Sequence, residues 1–279
     1  MMARVPRIAH FVFGLRSQTE PFHVLHYVAI ESCRRLNAPD AIYFHCQGVP
    51  FGLYWDLIRP HLELHRVEPV EAVDAIRYDE RIEPWRYAHH SDVIRLDALI
   101  QHGGLYCDID AIWSRPLPVE AWECSFLIGR EGAVGDPRTG LTRASLSNAV
   151  MVAERDAPFA RRWRAAIEGA MDGTWSAHSC FLAHDLAMAH PDEVTVVDRD
   201  WFSPIDYSVE AYRTLLEANV SLPPETRAVH LAAHLWWDEG RTDFSPVHGH
   251  QLHAPALARS QTTLARLVQP FVPDGALPT

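Results

Sequence analysis

The run His102-Gly-Gly-Leu-Tyr-Cys-Asp-Ile-Asp-Ala-Ile-Trp113 sets two carboxylates, Asp108 and Asp110, one residue apart behind a short apolar stretch. Carboxylates are costly inside a protein unless they are paired or hold a metal. In an extended backbone, residues i and i+2 point to the same side, so both side chains can converge on one cation. Oxygen donors suit Mg²⁺ or Mn²⁺ better than Zn²⁺. Such an ion can hold a diphosphate and neutralise it as it leaves. The chemistry implied is departure of a nucleoside diphosphate. The simpler alternative is a turn whose aspartates accept backbone N–H groups.

The surrounding pattern predicts what positions these residues. Residues 7–13 are apolar and stop at Gly14, as a first buried strand would. Residues 22–37 predict a helix and 41–46 a second strand, closed by Gly48 and Pro50. Strand, helix, strand predicts a parallel, doubly wound α/β sheet. Residues 62–68 are a weaker strand. A helix is expected from Pro84 to His102, with proline in its first turn and Gly103-Gly104 as its stop. A strand over 105–109 then carries the two aspartates to its carboxyl end, where open α/β sheets bind ligands. Farther on, strands are expected at 125–130, 147–153 and 194–198, and helices at 158–172, 179–189, 208–219 and 255–269.

Composition narrows the function classes. The 279 residues suit one sizeable domain with elaborations. A formal net charge of −11 argues against a nucleic-acid partner and against an electrostatic grip on anionic lipid. All 25 basic residues are arginine, which removes Schiff-base catalysis and any Walker-type lysine. The five cysteines are widely spaced with no C-x-x-C, as in a cytosolic protein with reduced thiols. No apolar run has signal-peptide character or bilayer-spanning length. The expected location is the cytoplasm, including the periphery of an inner membrane.

The run Ser91-Asp-Val-Ile-Arg95, with Leu99, Gly103-Gly104, Tyr106, Asp108 and Asp110, resembles the pattern S-D-x-x-R-x-x-x-L-x-x-x-G-G-x-Y-x-D-x-D. That pattern marks the DXD sugar transferases related to yeast-type initiating mannosyltransferases, glycosyltransferase family 32; the clostridial glucosylating toxins carry a similar core. Pro6 to Gly14 resembles the first strand of these families. The resemblance implies a GT-A type, Rossmann-like, mostly parallel sheet flanked by helices. It divides a single domain into a nucleotide-sugar core (1–115), an acceptor side with a closing loop (116–250) and a C-terminal helix and tail (251–279). It implies a Mn²⁺- or Mg²⁺-dependent transferase that retains anomeric configuration. A hexose would move from a UDP- or GDP-sugar to a glycan, lipid-linked or protein acceptor, with cell-surface polysaccharide synthesis as the expected setting.

Residue by residue, the resemblance implies that Phe13 packs on the base. Asp92 and Arg95 contact donor-sugar hydroxyls, where an aspartate accepts and an arginine donates in a fork. Tyr106 lines the donor pocket. Asp108 touches ribose or sugar and the metal's water shell, and Asp110 ligates the metal. Leu146-Ser-Asn-Ala-Val150 resembles the family's strand whose asparagine, here Asn148, faces sugar or acceptor. Near the end, "A-x-H-x-W" fits His234-Leu-Trp236 best, with His234 as a last metal ligand and Trp236 as an indole donor to phosphate. His230, in "A-V-H-L", is the rival. His89-His90 are expected on the helix face near the pocket mouth, and His248, His250 and His253 as a solvated tract. Gly103 and Gly104 have backbone reasons: a left-handed helix stop and a close approach.

Three other classes compete. A glycoside hydrolase needs its carboxylates about 5 to 9 Å apart across a sugar. An aspartyl-phosphate phosphatase would show D-x-D-x-T after its first strand. A catalytically inactive relative would bind nucleotide sugar without turnover.

Overall fold

The computed structural model describes residues 4–78, 80, 82–235 and 252–273. Its strands are β1 (Ile8–Val12), β2 (Ala41–Cys46), β3 (Glu63–Arg66), β4 (Gly104–Cys107), β5 (Ala111–Trp113), β6 (Phe126–Arg130), β7 (Val134–Asp136), β8 (Leu141–Arg143), β9 (Leu146–Ala153), β10 (Thr195–Val197) and β11 (Ala228–His230). Its helices are α1 (Val24–Asn37), α2 (Leu53–Ile58), α3 (Glu71–Asp74), α4 (Arg86–His102), α5 (Pro158–Ala170), α6 (Leu182–Ala189), α7 (Val209–Glu217), α8 (Ala254–Arg259) and α9 (Thr263–Val268). Among the described residues no helix is long and apolar enough to cross a membrane.

The expected α/β sheet is present. Seven strands run in the order β10-β6-β9-β4-β1-β2-β3. All neighbours pair in parallel except β9, which is antiparallel to both β4 and β6. Alternation along β4 builds a core on each face: Leu105 and Cys107 join the cluster under α1, α7 and α9, while Tyr106 joins the one under α4 and α5. The first strand, the helix after it and the second strand lie where the sequence places them.

Helix α4 positions the chemistry. Pro84 sits in the short 3₁₀ turn Glu83–Trp85 that leads into it, and Gly103 ends it at φ 65°. Gly104 follows at φ 115°, and a Cβ there would lie 2.4 Å from the Ile8 carbonyl oxygen of β1. Both glycines therefore do what the sequence suggests: one turns the chain out of the helix, the other lets β4 close on β1. Within α4 only Asp97 and Gln101 are exposed. A helix enclosed this way can hold polar residues on an inward side without a solvent-facing stripe.

Two expectations are corrected. The strand expected over 105–109 stops at Cys107, and Asp108 to Asp110 form a turn into β5. The helix expected over 255–269 is two, α8 and α9. The Thr262 hydroxyl caps α9 by accepting from the Ala265 N–H at 3.2 Å, which starts a new helix rather than continuing the old one.

Candidate active site

The turn is closed by the Ala111 N–H donating to the Asp108 carbonyl at 3.0 Å. The two carboxylates thus converge because the chain folds back, not because an extended strand aims them together. The turn alternative and the metal alternative both have a share: Asp110 Oδ2 accepts the Ala233 N–H at 2.8 Å, while its other oxygen accepts no hydrogen bond among the described residues.

A two-stranded ribbon brings the third group. β11 pairs antiparallel with β5, setting His230 opposite Ala111, and the Leu231 N–H donates to the Asp110 carbonyl at 3.0 Å. His230 Nε2 then lies 3.5 Å from Asp110 Oδ1 and 3.8 Å from Asp108 Oδ2. Candidate ligand atoms of Asp108, Asp110 and His230 all fall within 4.8 Å of one another. Asp108 Oδ1 is already taken, by the Tyr106 hydroxyl at 2.6 Å and Arg95 Nη1 at 3.2 Å. Among the described residues, the oxygens left without a hydrogen bond are the two that face His230. This donor set fits a divalent cation.

Arg95 organises the neighbouring wall. The residue is 4% exposed. Nε donates to the Ser91 carbonyl at 3.2 Å, Nη1 to the Asn148 carbonyl at 2.7 Å, and Nη2 to Ser91 Oγ at 3.2 Å. Nη2 also lies 3.2 Å from Asp92 Oδ1, and the group rests 4.6 Å from the Tyr106 ring centroid. Asp92, 7% exposed, accepts further from Asn148 Nδ2 at 2.7 Å and pairs with His178 Nε2 at 2.9 Å. The i, i+3 pair of Asp92 and Arg95 is thus enclosed rather than solvated.

The charges follow from these contacts. Burial pushes Asp92 up, but Arg95 and His178 outweigh it and hold the carboxyl below the ordinary range. Asp108 goes the other way, because burial outweighs Arg95 and His230 and its carboxyl is raised. Burial disfavours the Arg95 cation, yet Asp108, Tyr106 and Asp92 raise its pKa above the usual value. Burial also lifts the Tyr106 phenol far above its usual range, so it stays a donor to Asp108.

These residues open on one cavity of about 400 Å³. Phe13, Asp92, Arg95, Asp108, Asp110, Asn148 and His230 line it. Phe13 follows β1 and packs edge-on to Phe22 at 5.2 Å, so it is a core residue that also faces the cavity. Tyr106 departs from the expectation: it is fully buried, is not among the cavity-lining residues, and its hydroxyl donates to Asp108. His89 and His90 lie on α4 but are buried and are not among the residues that line the cavity. His234 lies in the turn Ala233–Leu235, but its side chain is outside the described residues, as are Trp236, His248 and His250. His253 caps α8.

Among the described residues, four carboxylates line the cavity (Asp92, Asp108, Asp110 and Glu131) against two guanidiniums, Arg16 and Arg95. Two of the acids already neutralise Arg95. A nucleoside diphosphate would meet net repulsion here without an added cation.

Sequence reading missed His178, which holds Asp92 from the π-helical turn Ala177–Phe181. It also missed Glu131, whose Oε2 accepts from the Tyr207 hydroxyl at 2.7 Å. One of 17 histidines outside any motif gives no signal, although π turns do gather at functional sites.

Residues 52–126 match the glycosyltransferase sugar-binding region containing a DXD motif. Glucan organizing enzyme 1 of Cryptococcus neoformans var. grubii is 34% identical over 218 residues, 75% of this chain and 57% of that protein. The chain therefore spans little more than half the length of this relative. Among solved structures, the glycosyltransferase GlyE of Streptococcus pneumoniae TIGR4 aligns with TM-score 0.46 and 15% identity over 86% of this chain and 57% of that one. The PaToxG glycosyltransferase aligns with TM-score 0.43 and 13% identity over 67% of this chain and 70% of that one. Likeness at that level speaks to neither substrate nor site. Residues 52–126 are thus a DXD-motif glycosyltransferase sugar-binding region, and the chain is similar to the fungal relative over three quarters of its length.

Proposed function

We propose that the protein is a Mn²⁺-dependent retaining glycosyltransferase that moves a hexose from a UDP- or GDP-sugar to a hydroxyl acceptor. The observation that carries this reading is the convergence of Asp108 Oδ2, Asp110 Oδ1 and His230 Nε2 in the wall of an acid-rich cavity. A divalent ion held by these three groups would balance the diphosphate charge as it departs.

The chain's own residues would do the rest by position and electrostatics. Phe13 offers a ring to the base. Arg95, held by Asp92 and Asp108, places a fixed positive charge where negative charge develops on the leaving group. Asn148 and Asp92 present polar atoms to the sugar. The donor C1–O bond to the diphosphate breaks and the acceptor O–C1 bond forms on the same face. The acceptor proton passes to the leaving phosphate oxygen. Residues 1–115 supply most of the donor side, and 116–250 the acceptor side.

The relative's name, a glucan organizing enzyme, supports a role in building or arranging polysaccharide. The free cysteines support a cytoplasmic site of action. The test is release of nucleoside diphosphate from a panel of UDP- and GDP-sugars with Mn²⁺. Release from one donor, abolished by EDTA and in Asp110→Asn, bears the reading out. Silence across the panel, with no metal-dependent nucleotide binding, makes the Asp108–Asp110 turn purely structural. A covalent glycosyl-enzyme trapped by mass spectrometry would replace the same-face route.

A further inference from the structure

Two trails of contacts lead away from Arg95 on the side of Asp92 rather than Asp108. One runs from Asp92 to His178, whose ring lies 4.3 Å from that of His89, and on to Trp175 at 5.9 Å from His89. Trp175 stands perpendicular to Trp85 at 6.3 Å, and Trp85 lies 6.0 Å from Tyr87. All three of these aromatic residues are half-buried and line the cavity. They come from the entrance to α4 and from the loop before the π-helical turn.

The second trail runs from Asp92 to Asn148, then to the Cys180 thiol at 3.9 Å from Asn148 Oδ1, and on to Glu131 beside that thiol. The Tyr207 hydroxyl occupies Glu131 Oε2. Glu131 Oε1 is buried with no hydrogen-bond partner among the described residues, although Glu131 lines the cavity. A buried carboxylate oxygen left without a donor is costly, and such an atom in a cavity wall invites a donor from a ligand.

We infer that this half of the cavity is the acceptor subsite and that its acceptor is a saccharide, stacked on Trp85 and Trp175 and donating a hydroxyl to Glu131. The inference rests on the transferase reading given above. The C–H faces of a pyranose suit half-buried indole rings, and its rim of hydroxyls supplies the donor that Glu131 Oε1 lacks. A bare lipid chain would satisfy the rings but leave the carboxylate oxygen unpaired. The placement also suits transfer. Asp92 and Asn148, assigned to the donor sugar, lie between this region and the Asp108–Asp110–His230 cluster in the sequence of contacts.

The experiment uses the full chain with Mn²⁺ and saturating UDP or GDP, whichever binds. Saccharide binding is read by saturation-transfer NMR and tryptophan fluorescence, with glucose, galactose and mannose homodisaccharides as probes. Wild type is expected to bind at least one. Glu131→Gln and Trp175→Ala should each weaken that binding at least about tenfold, with nucleotide affinity changed less than about twofold. Trp175→Phe keeps a ring and should fall between, which guards against a variant that merely fails to fold. Saccharide binding that is equal in wild type and all variants overturns the subsite. Nucleotide binding without saccharide binding overturns the saccharide acceptor and leaves the transferase intact. Absence of metal-dependent nucleotide binding in wild type brings down the transferase reading, and this inference with it.

Discussion

Replacing Arg95 by methionine removes the one charge that Asp92 and Asp108 share. Both carboxylates lie within 3.2 Å of the guanidinium, whose side chain is 5% exposed. Breaking a buried pair from one side strands the remaining charge and costs about 3–5 kcal/mol, whereas a solvated surface pair is worth about 0–1 kcal/mol. Here Asp92 keeps His178 and Asn148, and Asp108 keeps Tyr106, so the lower end of that range applies. A loss of about 3 kcal/mol in a chain of this size lowers Tm by roughly 6–12 °C. Urea and thermal unfolding followed by circular dichroism at neutral pH measure it. Arg95→Lys should recover only part, because an ammonium restores the charge but not the fork that reaches Ser91, Asn148 and both acids. The Asp92→Asn, Arg95→Met double variant should be more stable than the sum of the single losses. A cost below about 1 kcal/mol for Arg95→Met would refute the reasoning, since solvent would then be screening the pair.

Other consequences follow from the same contacts. Tyr106→Phe removes the 2.6 Å donor to Asp108 without opening the cavity; metal-dependent nucleotide affinity should fall about tenfold or more, consistent with losing one hydrogen bond to a charged group, and an unchanged affinity in calorimetry would argue that Asp108 is held by Arg95 alone. Gly104→Ala drives a Cβ against the Ile8 carbonyl at positive φ and should cost about 3 kcal/mol or more; a soluble variant with wild-type urea midpoint contradicts the close approach. His10 and His45, joined at 3.0 Å, are pushed down to about 4 and about 3, chiefly by burial. The unfolded chain then binds more protons between pH 6.5 and 4, so their stabilisation is present above pH 6.5 and is lost as pH falls, by up to about 1.4 kcal/mol per pH unit for each histidine. Equal urea midpoints at pH 7 and pH 5 would contradict that burial.

Much of this was legible in the sequence because local chemistry and tertiary role agree. The first strand, α1, β2 and α4 announce themselves by apolar spacing and by Gly14, Pro84 and Gly103 at their ends. The α4 residues and the two aspartates are recognisable as a group, and the fold keeps Asp92, Arg95, Asp108 and Asp110 around one cavity. What could not be read depends on pairing. The reversal of β9 leaves no mark in its apolar run. The three-residue strands β5 and β11 are too short to carry a period, yet their register decides that His230 meets the aspartates. His230 and His234 sit in similar apolar surroundings, so spacing alone does not choose between them. The resemblance places Tyr106 in the donor-pocket wall, whereas strand alternation turns it inward, under α4. Glu131 and His178 belong to no motif, and only their partners reveal them.

The central claim is a cation bridge between this chain and a nucleoside diphosphate. Isothermal titration of UDP and of GDP into the wild-type protein and Asp110→Asn, with Mn²⁺ and then with EDTA, tests it most directly. The account predicts that one nucleotide binds with Mn²⁺, that EDTA abolishes the heat, and that Asp110→Asn weakens binding at least about tenfold. Binding that ignores both the metal and the substitution, or no binding at all, would contradict it.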